Sequence, residues 1–385
     1  MEKIKLGDIA SVITKGTTPT SIGFNFTEQG INFIKIESIT EDGSFINDKF
    51  AHISEECYSR LKRSQIKEND ILFSIAGAIG RVAVVNNEIL PANTNQALAI
   101  IRVDDRYDKE FLTFLLRSSF ITKQYNKRKQ GVAQINLSLK DISELEIPII
   151  DINKQLEIKE NLKNIIKIIS LRKKQLEDLN NIIKSQFVEM FENKNFEKKT
   201  LQDITIKITD GSHNPPNGID ENVGYMMLSS QNIVNDKINY ENARYLSKED
   251  FEKENARTDL KNGDVLLTIV GTVGRTAIIS NEENITLQRS VAVLKPIEEI
   301  KSEYLVGALK SDDVVRQLNK GAKGVAQKGI YLKDLKKLTI SVPPIELQNK
   351  FADFVKQIDK QKFEIENSLK EMQELYESLM EKYFG

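Results

Sequence analysis

The stretch DILFSIAGAIGR, residues 70–81, recurs 194 positions later as DVLLTIVGTVGR, residues 264–275. Each copy is an apolar run followed by two glycines and an arginine, which is typical of a buried strand that ends in a tight turn. Because one chain carries this pattern twice, we expect its fold to contain two copies of one domain.

The two-copy pattern extends over the whole chain. Matches outside the first stretch include Leu6 with Leu201, Asp8 with Asp203, Ile9 with Ile204, Gly16 with Gly211, the Gly-Val-Ala-Gln of residues 131–134 with 324–327, and the Leu-Lys-Asp of residues 139–141 with 332–334. The shift between matched positions changes only from 195 to 193 along the chain. Residues 1–191 and 196–384 are therefore predicted to be two copies of one fold with small loop deletions.

Each copy has two parts of different composition. Residues 1–150 and 194–343 mix short β-branched runs with Gly, Pro and Asn turns, which predicts a globular domain of the α/β (α+β) class. Residues 151–193 and 344–385 form the other parts. Within them, residues 153–191 and 346–384 contain neither glycine nor proline and predict helices roughly 58 Å long.

Apolar residues repeat every seven positions along both helices. The rows are Leu162, Ile169, Leu176, Ile183 and Met190 in the first helix, and Phe351, Ile358, Ile365, Met372 and Leu379 in the second. A sustained seven-residue repeat favours supercoiled helices. The sequence predicts an internal antiparallel coiled coil with pseudo-two-fold symmetry. The alternatives are that each helix packs on its own domain or that the coil forms between molecules.

Composition limits the possible classes of function. With 55 basic and 56 acidic residues the net charge is −1, which is not typical of a non-specific nucleic-acid coat but allows a local basic face. No apolar run approaches the ~18 residues of a membrane span and no signal peptide is evident, so we expect a cytoplasmic protein. Cys57 is expected to be a buried, inert thiol, and the two histidines are too few for a zinc cluster.

No catalytic set recurs in the two copies. The Asn-Pro-Pro of residues 214–216 resembles part of an amino-methyltransferase motif, but Asn217 replaces the aromatic residue that would stack on a base, so a turn is favoured. The glycine turns lack the Gly-Lys-Ser/Thr ending of a phosphate-binding loop. For Arg81 and Arg275, which end these turns, contact with a DNA phosphate and an ion pair with an internal carboxylate both stay open. The sequence thus predicts a chain that is not itself an enzyme.

A basic segment precedes the shared Gly-Val-Ala-Gln in each copy, at residues 123–129 and 316–323. Lys and Arg next to Gln and Asn are the side chains that position phosphates and contact base edges. The alternative is a solvated charged face. Recurrence at the same place in both copies favours a strip that faces DNA.

In the order of its motifs the chain resembles the specificity (S) subunit of type I restriction-modification systems. The resemblance covers the full length. It rests on the Leu-x-Asp-Ile start of each copy, the loops at residues 15–19 and 210–215, the glycine turns, Asn95-Gln96 and Gln288-Arg289, Gln155 and Gln348 at the helix starts, and the two long helices.

The resemblance implies two target-recognition domains that each read one half of a bipartite double-stranded DNA sequence, held apart by the helices. It also implies methyltransferase (M) subunits, for which the pseudo-symmetry supplies two places, and nuclease-translocase (R) subunits in the complete complex. S-adenosylmethionine, ATP and Mg²⁺ belong to those partners, so this chain is expected to hold no cofactor or metal. The loops that differ, residues 17–26 and 212–221, are expected to specify the half-sites.

The chain departs from the family in having almost no extension before the first domain. Closure of the pseudo-circle is therefore expected from residues 1–6 and 383–385. The alternative function is a coiled-coil DNA- or protein-binding regulator without a methyltransferase partner. The candidate DNA-contacting residues are Lys15, Thr17, Thr18, Thr20, Arg81, Asn95, Gln96, Lys127, Arg128, Gln134, Ser212, His213, Asn214, Arg275, Gln288, Arg289, Lys320, Lys323 and Gln327.

Overall fold

The computed structural model describes residues 2–127, 136–192, 194–220, 222–280, 283–321 and 329–385. The chain divides into two compact units. The first unit is Met1–Arg172 with Ser368–Gly385, and the second unit is Lys173–Asn367. Each unit contains one copy of the repeated domain and a part of each long helix, whereas the four-part division predicted from the sequence stays a prediction.

The first copy mixes short strands with short helices and leads into a long helix. Its elements in chain order are β1 (Lys3–Lys5), α1 (Leu6–Ile9), β2 (Ala10–Lys15), β3 (Ile31–Ile34), β4 (Ala51–Ile53), α2 (Glu55–Arg60), β5 (Gln65–Ile66), β6 (Ile71–Ser74), β7 (Val82–Val84), β8 (Ala92–Thr94), β9 (Leu98–Val103), α3 (Lys109–Arg117), α4 (Ser119–Lys127), α5 (Leu139–Ser143), β10 (Glu146–Pro148) and α6 (Ile152–Phe191).

The second copy follows largely the same order, with one additional short hairpin and, among its described residues, no counterpart of α1 or β5. Its elements are β11 (Glu197–Thr200), β12 (Thr205–Asp210), β13 (Met226–Leu228), β14 (Ile233–Val234), β15 (Lys237–Ile238), β16 (Arg244–Tyr245), α7 (Lys248–Thr258), β17 (Val265–Thr268), β18 (Thr276–Ile278), β19 (Ile285–Leu287), β20 (Val291–Pro296), α8 (Ser302–Leu309), α9 (Asp312–Gly321), α10 (Leu332–Leu335), β21 (Thr339–Val342) and α11 (Ile345–Phe384).

The two copies also share their sheet topology. An antiparallel sheet has the order β2-β9-β6-β7 in the first copy and β12-β20-β17-β18 in the second. A second sheet contains the parallel pair β3 and β8, matched by β13 and β19. A further pair joins β1 to β10, matched by β11 and β21. The predicted duplication of a mixed helix and strand domain is confirmed.

The repeated stretch forms the central strands β6 and β17, which are buried along their whole length. Because successive side chains on a strand point to opposite faces, the run supplies two cores. Ile71 and Phe73 enter one hydrophobic cluster, whereas Leu72 enters another. In the second unit Val265 and Leu267 likewise enter one hydrophobic cluster on one face of β17. Burial on both faces explains why the run is continuously apolar instead of alternating.

Each long helix is continuous over 40 residues. In the first unit the start of α6, with Ile158 and Leu162, lies in one cluster with Phe384 at the end of α11. In the second unit Phe187 and Phe191, at the end of α6, pack against Phe351 near the start of α11 with ring centroids 5.5 Å apart in both pairs. The start of one helix meets the end of the other in both units, so the predicted antiparallel pairing is confirmed.

One buried glutamine at the start of each long helix binds that helix to its domain. Gln155 accepts a hydrogen bond from the Asp108 N–H (2.9 Å) and donates to the carbonyls of Arg106 (2.9 Å) and Ile150 (2.8 Å). Gln348 accepts from the Lys301 N–H (2.9 Å) and donates to the carbonyls of Glu299 (3.1 Å) and Pro343 (2.9 Å). We call these residues the helix-start glutamines. Each satisfies three backbone groups that burial would otherwise leave unpaired.

Two smaller observations concern the cysteine and the helices. Cys57 is fully buried, as predicted, and burial raises the pKa of its thiol. In the described part of the chain, no helix is both long enough and apolar enough to span a bilayer. Phe384, next to the C-terminal end, packs edge-on against Phe111 of α3 with ring centroids 5.6 Å apart.

Candidate nucleic-acid interface

Two surface loops meet at a matched glycine in each copy. A Cβ at Gly16 would lie 1.9 Å from the Thr94 carbonyl oxygen, and a Cβ at Gly211 would lie 1.9 Å from that of Leu287. Only glycine allows so close an approach of two backbones. We call residues 15–18 with 95–96 the first loop pair, and residues 210–214 with 288–289 the second loop pair.

The first loop pair brings together five predicted DNA-contacting residues. The Thr17 N–H donates to the Thr94 carbonyl at 3.1 Å, and the Thr18 hydroxyl is hydrogen bonded to the side-chain oxygen of Gln96. Asn95 is engaged locally, since its Oδ1 accepts the Ala97 N–H at 3.1 Å. The side chains of this loop pair are neutral except for Lys15. Lys15 and Gln96 are exposed, as is Thr20 in the adjoining 3-10 helix Pro19–Ile22.

The second loop pair shares with the first the glycine contact and one backbone bond between its loops, and it carries different side chains. The Ser212 N–H donates to the Leu287 carbonyl at 2.8 Å, and the Arg289 N–H donates to the Ser212 carbonyl at 2.9 Å. The Gln288 N–H donates to the Leu228 carbonyl at 2.8 Å. Ser212 is buried, whereas Asn214 and Arg289 are exposed. The backbone therefore sets the loop geometry and leaves the exposed side chains to vary.

A carboxylate holds His213 in the second loop pair. Nε2 of His213 lies 2.8 Å from Oδ2 of Asp210. Oδ1 of Asp210 accepts a hydrogen bond from Nη2 of Arg257 at 2.5 Å, and Nε of Arg257 donates to the Asp210 carbonyl at 2.9 Å. The Asp210 side chain is 7% exposed and that of His213 is 56% exposed. A nearly buried carboxylate, paired with the half-exposed Arg257, thus carries an imidazole at the surface.

A cleft of about 280 Å³ lies beside the second loop pair. It is lined by Asp210, His213, Ile269, Val270, Arg289, Gly329, Ile330, Tyr331 and Leu332. Tyr331 is 67% exposed. The candidate DNA-contacting residues predicted from the sequence did not include Tyr331, Asp210 or Arg257. The role of each depends on neighbouring side chains that only the fold brings close. For Tyr331, the signal available in the sequence was its position directly before the shared Leu-Lys-Asp.

The glycine turns are as predicted between two strands, but their arginines are engaged by the fold. Arg81 donates to the Ile39 and Ile36 carbonyls at 3.0 and 3.3 Å, and Arg275 donates to the Ile233 carbonyl at 3.3 Å. The partners are backbone carbonyls rather than the internal carboxylates considered from the sequence. These bonds favour a structural role, while phosphate contact by Arg81 and Arg275 stays a prediction.

The basic segments are partly used by the fold as well. Gln124 exchanges two hydrogen bonds of 2.8 Å with the backbone of Glu146, and Gln317 is bonded to the Thr339 backbone at 2.9 and 3.0 Å. These glutamines hold strands β10 and β21 and are therefore not available for base reading. Lys127 and Lys320, near the ends of α4 and α9, are exposed. The predicted residues Arg128, Gln134, Lys323 and Gln327 lie outside the described residues.

The Asn-Pro-Pro segment forms part of a surface loop. Residues 214–218 have no regular secondary structure, and Nη1 of Arg244 donates to the Pro216 carbonyl at 2.7 Å. The segment is thus neither helix nor strand, and its interpretation as a turn stays a prediction. Among the described residues, no group of three or more His, Cys, Asp or Glu side chains is placed to hold a metal ion.

A domain that occurs twice in one chain, with matched loop pairs that carry different side chains, defines a class of binding proteins with two related binding domains. The family model described as the type I restriction modification DNA specificity domain matches the chain twice, over residues 1–181 and 193–375. The chain belongs to this family.

Curated relatives agree with this membership. The chain is 24% identical over 420 residues to the type I restriction enzyme EcoBI specificity subunit of Escherichia coli, covering 99% of this chain and 85% of the relative. It is 25% identical over 409 residues to the type I restriction enzyme MjaVIII specificity subunit of Methanocaldococcus jannaschii, covering 97% and 91%.

Solved structures share the fold. One is a chain from work on complex assembly and conformational transition of the type I R-M system, with a TM-score of 0.62 at 18% identity, covering 100% of this chain and 97% of that chain. Another is the type I restriction-modification system S subunit from M. genitalium, with a TM-score of 0.53 at 15% identity, covering 100% and 96%. The predicted family, fold and role as a DNA-recognition subunit are confirmed.

Proposed function

We propose that each unit reads one half of a bipartite DNA target, the first through the first loop pair and the second through the second loop pair. The observation that carries this proposal is the shared backbone of the two loop pairs, each closed at a glycine that lies against a carbonyl group. A shared backbone with exchanged side chains is what two readers of different sequences need, because base identity is read by side-chain donors and acceptors.

The side chains at matched positions differ in charge. Lys15, Thr18 and Gln96 of the first loop pair correspond to Asp210, His213 and Arg289 of the second. Hydrogen-bonding groups and charge both change, so the two units would select different bases. The half-sites are accordingly expected to be unlike one another, and the target to lack two-fold symmetry.

The chemistry on DNA is assigned to other chains. The resemblance supports two methyltransferase subunits and nuclease-translocase subunits as partners, with S-adenosylmethionine, ATP and Mg²⁺ bound by them. A target base must leave the helix to be methylated, and the chain's own proposed role is recognition without catalysis. A DNA-reading subunit of this kind works in the cytoplasm. The alternative function is a regulator without a methyltransferase partner. An assay of methyl transfer with and without the methyltransferase subunit distinguishes the two functions.

Exchange of one domain should change one half-site only. If residues 196–343 are replaced by the matching segment of another family member, the methylated target should keep its first half-site and acquire a new second one. The measurement is methylome sequencing of cells that express the chimaera with the methyltransferase subunit. Unchanged recognition, or a change in both half-sites, would contradict one reader in each unit.

Methyl transfer should require a partner. The purified chain with target DNA and labelled S-adenosylmethionine is expected to transfer no label, and addition of the methyltransferase subunit should start transfer. The partner alone on the same DNA is the control for activity that does not depend on recognition. Transfer by the chain alone would refute the non-catalytic role, and no effect of the chain on its partner would favour the regulator.

A further inference from the structure

The cleft beside the second loop pair carries chemistry that the first loop pair lacks. At matched positions the first copy has Thr18, Gln96 and Ser138, and the second copy has His213, Arg289 and Tyr331. In the first copy the Thr18 and Gln96 side chains are hydrogen bonded to each other. In the second copy the matched residues line an open cleft of about 280 Å³.

Asp210 determines which nitrogen of His213 is presented to a ligand. An ionised carboxylate only accepts hydrogen bonds, so Nε2 of His213, which lies 2.8 Å from Asp210, must carry the hydrogen. Nδ1 is then an acceptor on the neutral ring and a donor on the protonated ring. Arg257 holds the Asp210 carboxylate from α7 at 2.5 Å, which restrains the whole arrangement. The matched residue in the first copy is Lys15, so this arrangement belongs to the second copy.

Arg289 supplies the donors of the cleft. Its backbone N–H is fixed to the Ser212 carbonyl at 2.9 Å. Within the described ranges of the chain, its guanidinium has no hydrogen-bond or ion-pair partner. A guanidinium offers two parallel donors that match O6 and N7 of guanine in the major groove.

The other walls of the cleft favour a base over a phosphate. Ile269, Val270, Ile330 and Leu332 make much of the lining apolar. Binding of a phosphate gains little from apolar neighbours, whereas the edge of a base pair has apolar groups, including the thymine methyl, beside its donors and acceptors. A fixed arginine among apolar side chains therefore fits a base-pair edge.

We propose that this cleft reads a guanine-containing base pair of the second half-site in the major groove. Arg289 donates to the guanine, and His213, oriented by Asp210, completes the contact. This inference rests on the proposed function and assigns to the second unit a base class and the residues that select it.

Arg289→Gln is the decisive variant, because it introduces the residue of the first copy at an exposed position. The full chain is assembled with the methyltransferase subunit and presented with a DNA library in which both half-sites are randomised. Preference for G·C at one position of the second half-site is expected to fall about tenfold to hundredfold, the discrimination of one bidentate pair. The first half-site should be unchanged. Arg60→Gln, the same substitution at an exposed position of α2 outside both loop pairs and both basic segments, should leave every base preference unaltered.

The other outcomes separate the inference from the proposed function. A uniform loss of methylation with unaltered preferences would make Arg289 a phosphate contact and overturn the inference alone. A single contiguous target for the wild-type complex would overturn the two-reader function itself. Asp210→Asn should weaken preference at the same base pair by a few-fold. A lower melting temperature with intact preference in this variant would overturn the orienting role of Asp210.

Discussion

Replacing Gln348 by leucine should lower the free energy of unfolding of the second unit by about 3 kcal/mol. Leucine cannot bond to the Lys301 N–H or to the Glu299 and Pro343 carbonyls, which Gln348 satisfies from a fully buried position. Unfolding of the full chain in urea, with hydrogen exchange to locate the loss, measures the effect. Exchange should accelerate first where α11 begins.

The chain offers a close control for this variant. Asn349 is exposed and follows Gln348 directly, so Asn349→Leu introduces the same side chain without removing a buried bond. Its effect should stay within about 0.5 kcal/mol. Gln155→Leu should reproduce the large loss in the first unit, since Gln155 makes the same three kinds of bond. Equal stability of Gln348→Leu and Asn349→Leu would refute the importance of the helix-start glutamines.

Replacing Gly211 by alanine should abolish base selection in the second half-site. The new Cβ would lie 1.9 Å from the Leu287 carbonyl oxygen. The Cβ is fixed to its Cα and the carbonyl belongs to the backbone, so no side-chain rotation relieves the clash and the two loops must separate. Separation breaks the 2.8 Å bond from the Ser212 N–H to the Leu287 carbonyl and displaces Arg289, which is bonded to the Ser212 carbonyl. Loss of a base contact of this kind corresponds to a fall in discrimination of about tenfold or more. Methylation of a randomised library by the complex measures it.

Gly16→Ala is the reciprocal variant. The same clash, with the Thr94 carbonyl oxygen, arises in the first loop pair. It should erase selection in the first half-site and leave the second, so each variant is the control for the other. If either substitution altered both half-sites equally, or neither, the loop pairs would not be separate readers.

Much of the fold could be predicted because its signals are local or repeated. The absence of glycine and proline from residues 153–191 and 346–384 predicts the long helices, and the structure places them at Ile152–Phe191 and Ile345–Phe384. The alignment of 70–81 with 264–275 predicts two copies of one buried strand and turn. The apolar run alone, however, does not reveal that β6 is buried on both faces between two hydrophobic clusters.

The candidate interface was predictable only in part. The sequence indicates the loops that differ, and the structure brings residues of 15–18 and 95–96 together, as it does those of 210–214 and 288–289. The sequence could not distinguish a polar side chain that stabilises the fold from one that is available to a ligand. Gln124 and Arg81 resemble DNA contacts in the sequence but bond to backbone groups 22 and 42 residues away in the chain.

The sequence by itself determined that this protein is a duplicated α/β reader with two long helices, because repetition and helical periodicity are properties of the chain before it folds. Only the tertiary structure decided which partner each polar group bonds to. Gln348 and Lys301 are 47 residues apart and Arg257 and Asp210 are also 47 apart, yet each pair is bonded. A hydrogen bond requires its partners within about 3 Å. Which groups are satisfied within the protein, and which remain for DNA, is therefore set by the contacts that folding creates.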